Sequence, residues 1–315
     1  MIIIMEKIIS KKRLMPLFAL ICAFLWGCGF SVTKTGYSLF SVAAVQDKIL
    51  FAGLRFILAG TLTLCCKMLS GGIDFRAVKG SVLKISLLSL FQTVLQYAFL
   101  YIALAELTGS VSSVLNQLGS FLLVLLLPLA DRNEHMSPYK IIGCLVGFAG
   151  LIFINLDGLH FEFSTGTAAI IASSCSAAVG YILSRRLSRS VDPITSTGCQ
   201  QLLGGIVLTI TGLIFGGRVA PTSPAAFGVL LYLAFSIAAA YVIWSILLKY
   251  NPVSEVTVYK FAVPVFGVLA SAVLLGENIF TPRILVSLAA VAFGIVLVNY
   301  RGKKSKSVEY ISKKD

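Results

Sequence analysis

The sequence predicts an all-α integral membrane protein whose ten transmembrane helices form two inverted five-helix repeats. Three observations predict it. Hydrophobic residues make up 57% of the chain and charged residues only 12%, about half of the roughly 25% usual in soluble domains. The apolar residues gather in ten stretches, each long enough at about 1.5 Å per residue to cross a hydrocarbon core of about 30 Å. They lack the period-2 alternation of barrel strands, so helices are left to satisfy the backbone in lipid. Finally, residues 82–155 align without a gap on residues 226–299.

The predicted spans are 15–33, 49–69, 83–104, 110–130, 139–156, 166–184, 195–216, 225–248, 254–275 and 282–300. Residues 1–13 form a basic cytoplasmic N-terminus, with Lys11, Lys12 and Arg13 directly ahead of the first span. That run is too long for a signal-peptide core and nine more follow, so it is an uncleaved first helix. The second span carries Arg55, the third Gln92 and Gln96, the fourth Asn116. The fifth holds Gly143 and Gly147 as a GxxxG pair, which suits close helix packing. Trp26 lies mid-span in the first helix, Tyr241 and Trp244 in the eighth, and Lys260 about six residues into the ninth. Residues 301–315 form a basic cytoplasmic tail.

The net charge is +13, but its distribution argues for membrane orientation and against nucleic acid. Twenty of the 26 Lys and Arg fall in the termini and alternate loops of one side, and four on the other side. This positive-inside bias puts both termini in the cytoplasm. The seven cysteines sit in or beside spans with no metal-ligand spacing, as small apolar residues do. No cofactor or metal is expected.

Twelve of the 74 aligned repeat pairs are identical, including Tyr97 with Tyr241, Pro138 with Pro282 and Asn155 with Asn299. Upstream, Arg55 falls opposite Gln200 and Ala59-Gly60 opposite Gly204-Gly205. The unit is therefore five helices, residues 14–156 and then 166–300. Because five is odd, the second copy enters the membrane from the opposite side. Inverted halves can exchange conformations around a site near the midplane, the requirement for alternating access.

Several short motifs resemble one family. They are Leu25-Trp26-Gly27 with Lys34, Leu54-Arg55-Phe56 followed by Ala59-Gly60, Pro264-Val265, and Leu275-Gly276-Glu277 before Pro282. Together, at these positions, they resemble the EamA-type permeases of the drug/metabolite transporter superfamily over residues 14–300. The resemblance implies secondary export of a metabolite such as an amino acid across the plasma membrane. Two features depart from the family. The first half has Asp131-Arg132-Asn133-Glu134 in place of Leu-Gly-Glu, and Lys260 is not a general family feature.

Polar side chains at membrane depth are the candidate site. Lys260 costs about 2.5–3.5 kcal/mol at a helix centre. It either snorkels or pairs between helices, or else it faces a cavity as the cation for a substrate carboxylate. Asn116, its repeat mate, belongs on the opposite flank of the same cavity. Gln92 and Gln96 form an i, i+4 stripe, with Tyr97 on the adjacent row. The stripe should face protein or a water-filled cavity. With Trp26, Tyr97, Tyr241 and Trp244 these groups suit a small zwitterion. Arg55 reads as a structural cation, paired with Asp47 or with carbonyls. Lys34 ends the first helix on the outside and either snorkels or attracts substrate, and Glu277 caps the tenth helix or acts as a latch.

A secondary transporter is the reading these features favour. An integral-membrane enzyme would need an acid/base pair, nucleophile or metal at accessible depth, yet His135 and His160 sit in opposite loops and no acid lies mid-span. A channel-like facilitator would need a filter, which no segment resembles. The partners implied are a small-molecule substrate and the lipid bilayer, with protons as a coupling ion and a homodimer both compatible.

Overall fold

A computed structural model describes residues 2–107, 137–154, 164–275 and 282–299, with positions 116, 119, 120, 123 and 124. Every regular element among the described residues is helical. They are α1 (Ile2–Ile9), α2 (Met15–Leu39), α3 (Val45–Gly71), α4 (Val82–Glu106), α5 (Pro138–Ile154), α6 (Thr165–Leu187), α7 (Pro193–Ile214), α8 (Ala225–Tyr250), α9 (Ala262–Leu275) and α10 (Pro282–Asn299). Six stretches are long and apolar enough to cross a bilayer, in α2, α3, α4, α6, α7 and α8, and α5 and α10 hold shorter apolar ones. The predicted span 110–130 lies almost wholly outside the described residues.

Helix ends follow from local chemistry. Ser164 accepts the Thr167 N–H at 3.2 Å to open α6, and Asp192 accepts that of Thr195 at 2.9 Å ahead of Pro193 in α7. These side chains satisfy N–H groups that have no partner inside the helix. Gly72 ends α3 at φ +78° and Gly216 follows α7 at φ +79°, a conformation that side-chain-bearing residues rarely take. Asp47 of α3 accepts from Ala44 N at 2.9 Å and from Arg218 N at 2.8 Å, so it caps its own helix and holds the loop after α7. That corrects the expected pairing of Asp47 with Arg55.

Two predicted spans are not uniform helices. In α4 the segment Leu90–Leu95 is π-helical. The ninth span begins with Val253–Thr257, passes through a 3-10 turn at Val258–Phe261 and only then becomes α9. Such interruptions within helices often mark functional sites or hinges. Also unlike the prediction, α2 runs six residues past position 33, so Lys34 lies within the helix.

Glycine decides which helices touch. The seam between α3 and α7 is built on five of them. A Cβ at Gly60 would lie 2.5 Å from Leu202 N, and one at Gly205 would lie 2.5 Å from Ile57 N, with Gly53, Gly198 and Gly212 completing the contact. Between α5 and α10, Gly143 sits against the Gly294 carbonyl and Gly150 against Ala290. The expectation that Gly143 and Gly147 serve packing agrees with this.

Helix pairing repeats under the 144–145-residue shift. The seams α3–α7 and α5–α10 each join a helix to its repeat mate. The α2–α8 contact recurs as α6–α4, and α3–α8 recurs as α7–α4. The α2–α9 contact recurs where Gly119 lies against Ser174 of α6.

Overpacking a close contact costs about 1–3 kcal/mol, more than the roughly 1 kcal/mol that Ala gains over Gly in a helix. Gly60→Ala is therefore expected to lower the thermal midpoint in detergent. Gly29→Ala, where a Cβ meets nothing within 4 Å, should leave it unchanged or raise it. Equal midpoints for the two variants would contradict the seam.

Candidate functional site

The 3-10 turn carries Lys260, and three helices bring rings to it. Its Nζ lies 4.0 Å from the centroid of Tyr181, 4.6 Å from Trp26 and 5.4 Å from Trp244, and it donates to the Tyr181 hydroxyl. Backbone contacts set these positions. Beside Trp26, Gly27 lets α2 meet α9, where a Cβ would lie 2.5 Å from the Val263 carbonyl. Beside Tyr181, Gly180 lets α6 meet Gln92 of α4, whose Cβ would be 2.7 Å away. The Cys22 thiol bonds the Ala240 carbonyl at 3.4 Å and ties α2 to α8.

The rings continue from this cation to a second one. Trp26 meets Trp244 at 5.1 Å and Tyr241 at 5.6 Å, edge on. The hydroxyls of Tyr241 and Tyr97 are 3.5 Å apart, and Tyr97 packs on Phe56 at 4.6 Å. The Arg55 guanidinium lies 5.4 Å from the Phe56 centroid and 5.9 Å from that of Tyr97, and donates to Thr33 Oγ1 at 3.2 Å. Among the described residues Arg55 thus pairs with neither Asp47 nor a carbonyl, the two expected partners; a hydroxyl and two rings hold it.

Magnitudes explain how lipid tolerates the lysine. A desolvated cation over an aromatic face is stabilised by about 2 kcal/mol, against an insertion cost of about 2.5–3.5 kcal/mol. Three rings and a hydroxyl offset that cost without neutralising the charge. Among the described residues neither cation has an ion-pair partner. Trp244 Nε1, Arg55 Nε and Gln96 Oε1 are buried with no hydrogen-bond partner among the described residues, donors and an acceptor such as a polar ligand could engage.

The structure brings together Lys260, Trp26, Trp244, Tyr241, Tyr97 and Arg55. It adds Tyr181 and Thr33, which sequence reasoning missed. Tyr181 is the single aromatic residue of α6, otherwise rich in Ser, Ala and Gly, and that isolation was the available signal. Gln92 and Gln96 are both buried against α6, as the expectation that they face protein or a cavity allows: Gln92, in the π turn, packs on Gly180, and the Gln96 backbone carbonyl accepts from Ser173 Oγ at 2.7 Å. The Asn116 carbonyl accepts from Ser174 at 3.3 Å, and no contact among the described residues links it to Lys260. The Lys34 side chain and Glu277 lie outside the described residues.

Arg185, expected in a cytoplasmic loop, is instead buried in the last turn of α6. Its Nη1 donates to the carbonyls of Leu248, of Lys249 at 2.9 Å and of Asn251 at 3.2 Å. A guanidinium there satisfies acceptors left over at the C-terminus of α8 and complements the helix dipole. It fixes α6 to α8 below Tyr181 and Trp244. Nearby, Glu6 of α1 accepts from Lys249 at 3.2 Å and Tyr250 at 2.9 Å.

Replacing a buried charge by an apolar residue of similar volume is often neutral or stabilising. Lys260→Met should therefore unfold in detergent no lower than the wild type, while its tryptophan emission changes. A clear loss of thermal stability would mean that the lysine is a structural keystone.

Comparison with known proteins follows this geometry. The EamA-like transporter family model matches residues 13–156 and again 164–300. An uncharacterized transporter of Bacillus subtilis (strain 168), YvbV, is 26% identical over 295 residues, 92% of this chain and 93% of that protein. The uncharacterized inner membrane transporter YedA of Escherichia coli (strain K12) is 26% identical, covering 91% and 92% of the two chains. A protein of known crystal structure superposes with a TM-score of 0.77 over 90% of this chain and 96% of its own, at 20% identity, a likeness of fold alone.

Proposed function

The chain belongs to the EamA-like transporter family, and from that premise we propose that it is a secondary active exporter of a small metabolite such as an amino acid. It works by alternating access around the cluster of Lys260, Trp26, Trp244, Tyr241 and Tyr97. The observation that carries this reading is a partly buried cation ringed by aromatic side chains at the interruption of a membrane helix. Discontinuous helices at mid-membrane are where transporters of this design hold their substrates.

In this proposal the fold has ten transmembrane helices, two inverted halves and both termini in the cytoplasm of a plasma-membrane protein. The exchange of helix pairings under the repeat supports it, as does the double match of the family model. The seams α3–α7 and α5–α10 lie between mates, where a pseudo-two-fold axis would pass. They form the fixed part, and the 3-10 turn and the π turn are the places where the chain yields. Protons are the proposed coupling ion, with Lys260 as the group that takes them up, since ionisable residues inside membranes commonly serve such relays. Asn116, Gln92 and Gln96 belong to this proposal as the polar flank opposite Lys260.

Three measurements test it. Reporter fusions at residues 160 and 315 should report opposite compartments; the same compartment for both would end the inverted scheme. Proteoliposomes should show saturable flux that Lys260→Ala and Asn116→Ala weaken without loss of protein from the membrane. Lys260→Gln should stop gradient-driven accumulation yet permit exchange, and unchanged accumulation would exclude it as the coupling site.

A further inference from the structure

Charge is unbalanced inside this site. All thirteen acidic residues of the chain fall at or beyond the ends of the predicted spans, while Arg55 and Lys260 lie inside. Arg55 is 6% exposed, and its guanidinium meets one hydroxyl and two rings. Lys260 meets three rings and one hydroxyl. Ionisable groups in membranes are normally paired with one another, and among the described residues no carboxylate pairs with either of them. The surface between them is aromatic: Trp26, Tyr241 and Tyr97 form a continuous path from one cation to the other. A ligand that completes this site brings negative charge and a flat apolar body.

We propose that the site selects an organic acid with a planar apolar body and discriminates against the same body carrying an ammonium group. This rests on the transport reading above, narrows its metabolite class, and departs from the zwitterion that the sequence suggested. An anion gains from two desolvated cations. An ammonium finds no carboxylate among the described residues, and five of the rings that could hold it by cation–π contact, those of Trp26, Tyr181, Trp244, Phe56 and Tyr97, already face Lys260 or Arg55. Trp244 Nε1 and Arg55 Nε, buried without partners among the described residues, are two N–H donors suited to an anion's oxygens.

The protein supplies its own reporter. Trp26 and Trp244 are its only two tryptophans, and both touch Lys260, so intrinsic emission reads the site directly. Purified full-length protein is titrated with phenylacetate, phenylalanine and phenethylamine, which share one ring and differ in charge. Phenylacetate should bind at least about tenfold more tightly than phenylalanine, about 1.4 kcal/mol, and phenethylamine should not bind. Lys260→Gln and Arg55→Gln should each erase that preference, while Arg55→Lys, which keeps the charge, retains it. Thermal midpoints of the variants establish that they fold.

Equal or tighter binding of phenylalanine overturns the inference, as does failure of all three compounds to bind the wild type. Flux in proteoliposomes separates this from the transport reading. Movement of phenylalanine without phenylacetate would leave a transporter and remove the charge preference. Tight phenylacetate binding with no flux of any of the three would keep the preference and remove transport.

Discussion

Helices surrounded by lipid gain little by hiding apolar faces from one another, so their association depends on how closely their backbones approach. In this protein that approach happens at glycine. Gly53, Gly60, Gly198 and Gly205 bring α3 and α7 into backbone contact, and Gly143, Gly150 and Gly294 do the same for α5 and α10. The functional cluster inherits its geometry from two further contacts of this kind. Gly27 seats Trp26 beside the ninth span, and Gly180 seats Tyr181 beneath α4. Side chains of any size at these positions would push the rings away from Lys260.

The second organising fact is how charge is held at depth. Neither Lys260 nor Arg55 is neutralised by a fixed carboxylate among the described residues; rings and hydroxyls hold them. Such an environment compensates for lost hydration while leaving the field of the cation available to a ligand. A fixed ion pair would do the opposite, satisfying the charge permanently and spending its attraction inside the protein. Arg185 shows the contrasting solution. There the guanidinium is consumed by backbone carbonyls at the end of α8, a structural use that leaves little for any ligand.

Rigidity and compliance are distributed accordingly. The seams are continuous helices in backbone contact, whereas the segments next to the site are irregular. The 3-10 turn carries Lys260 and the π turn carries Gln92. Because interrupted helices bend more readily than regular ones, the aromatic cluster sits beside the most compliant segments among the described residues.

The sequence by itself determined the membrane-spanning class, the helical state of the spans and the presence of Arg55 and Lys260 within them, through hydropathy, composition and spacing that need no knowledge of neighbours, while short motifs carried the resemblance to the family. Most of the aromatic cluster was legible too, because Trp26 and Trp244 sit mid-span, where lipid-interface belts do not need them. Only the tertiary structure decided the partners. Arg55 turned to Thr33 and Phe56, not Asp47, and Arg185 turned inward to cap α8, since both choices depend on which helix lies alongside. The π turn at Leu90–Leu95 is likewise a feature that hydropathy does not encode. Tyr181 joined the cation because Gly180 lets α6 settle against α4, a contact between segments some ninety residues apart in the chain. Periodicity along one strand of sequence reports what each helix is; close approach between distant glycines settles what each side chain meets.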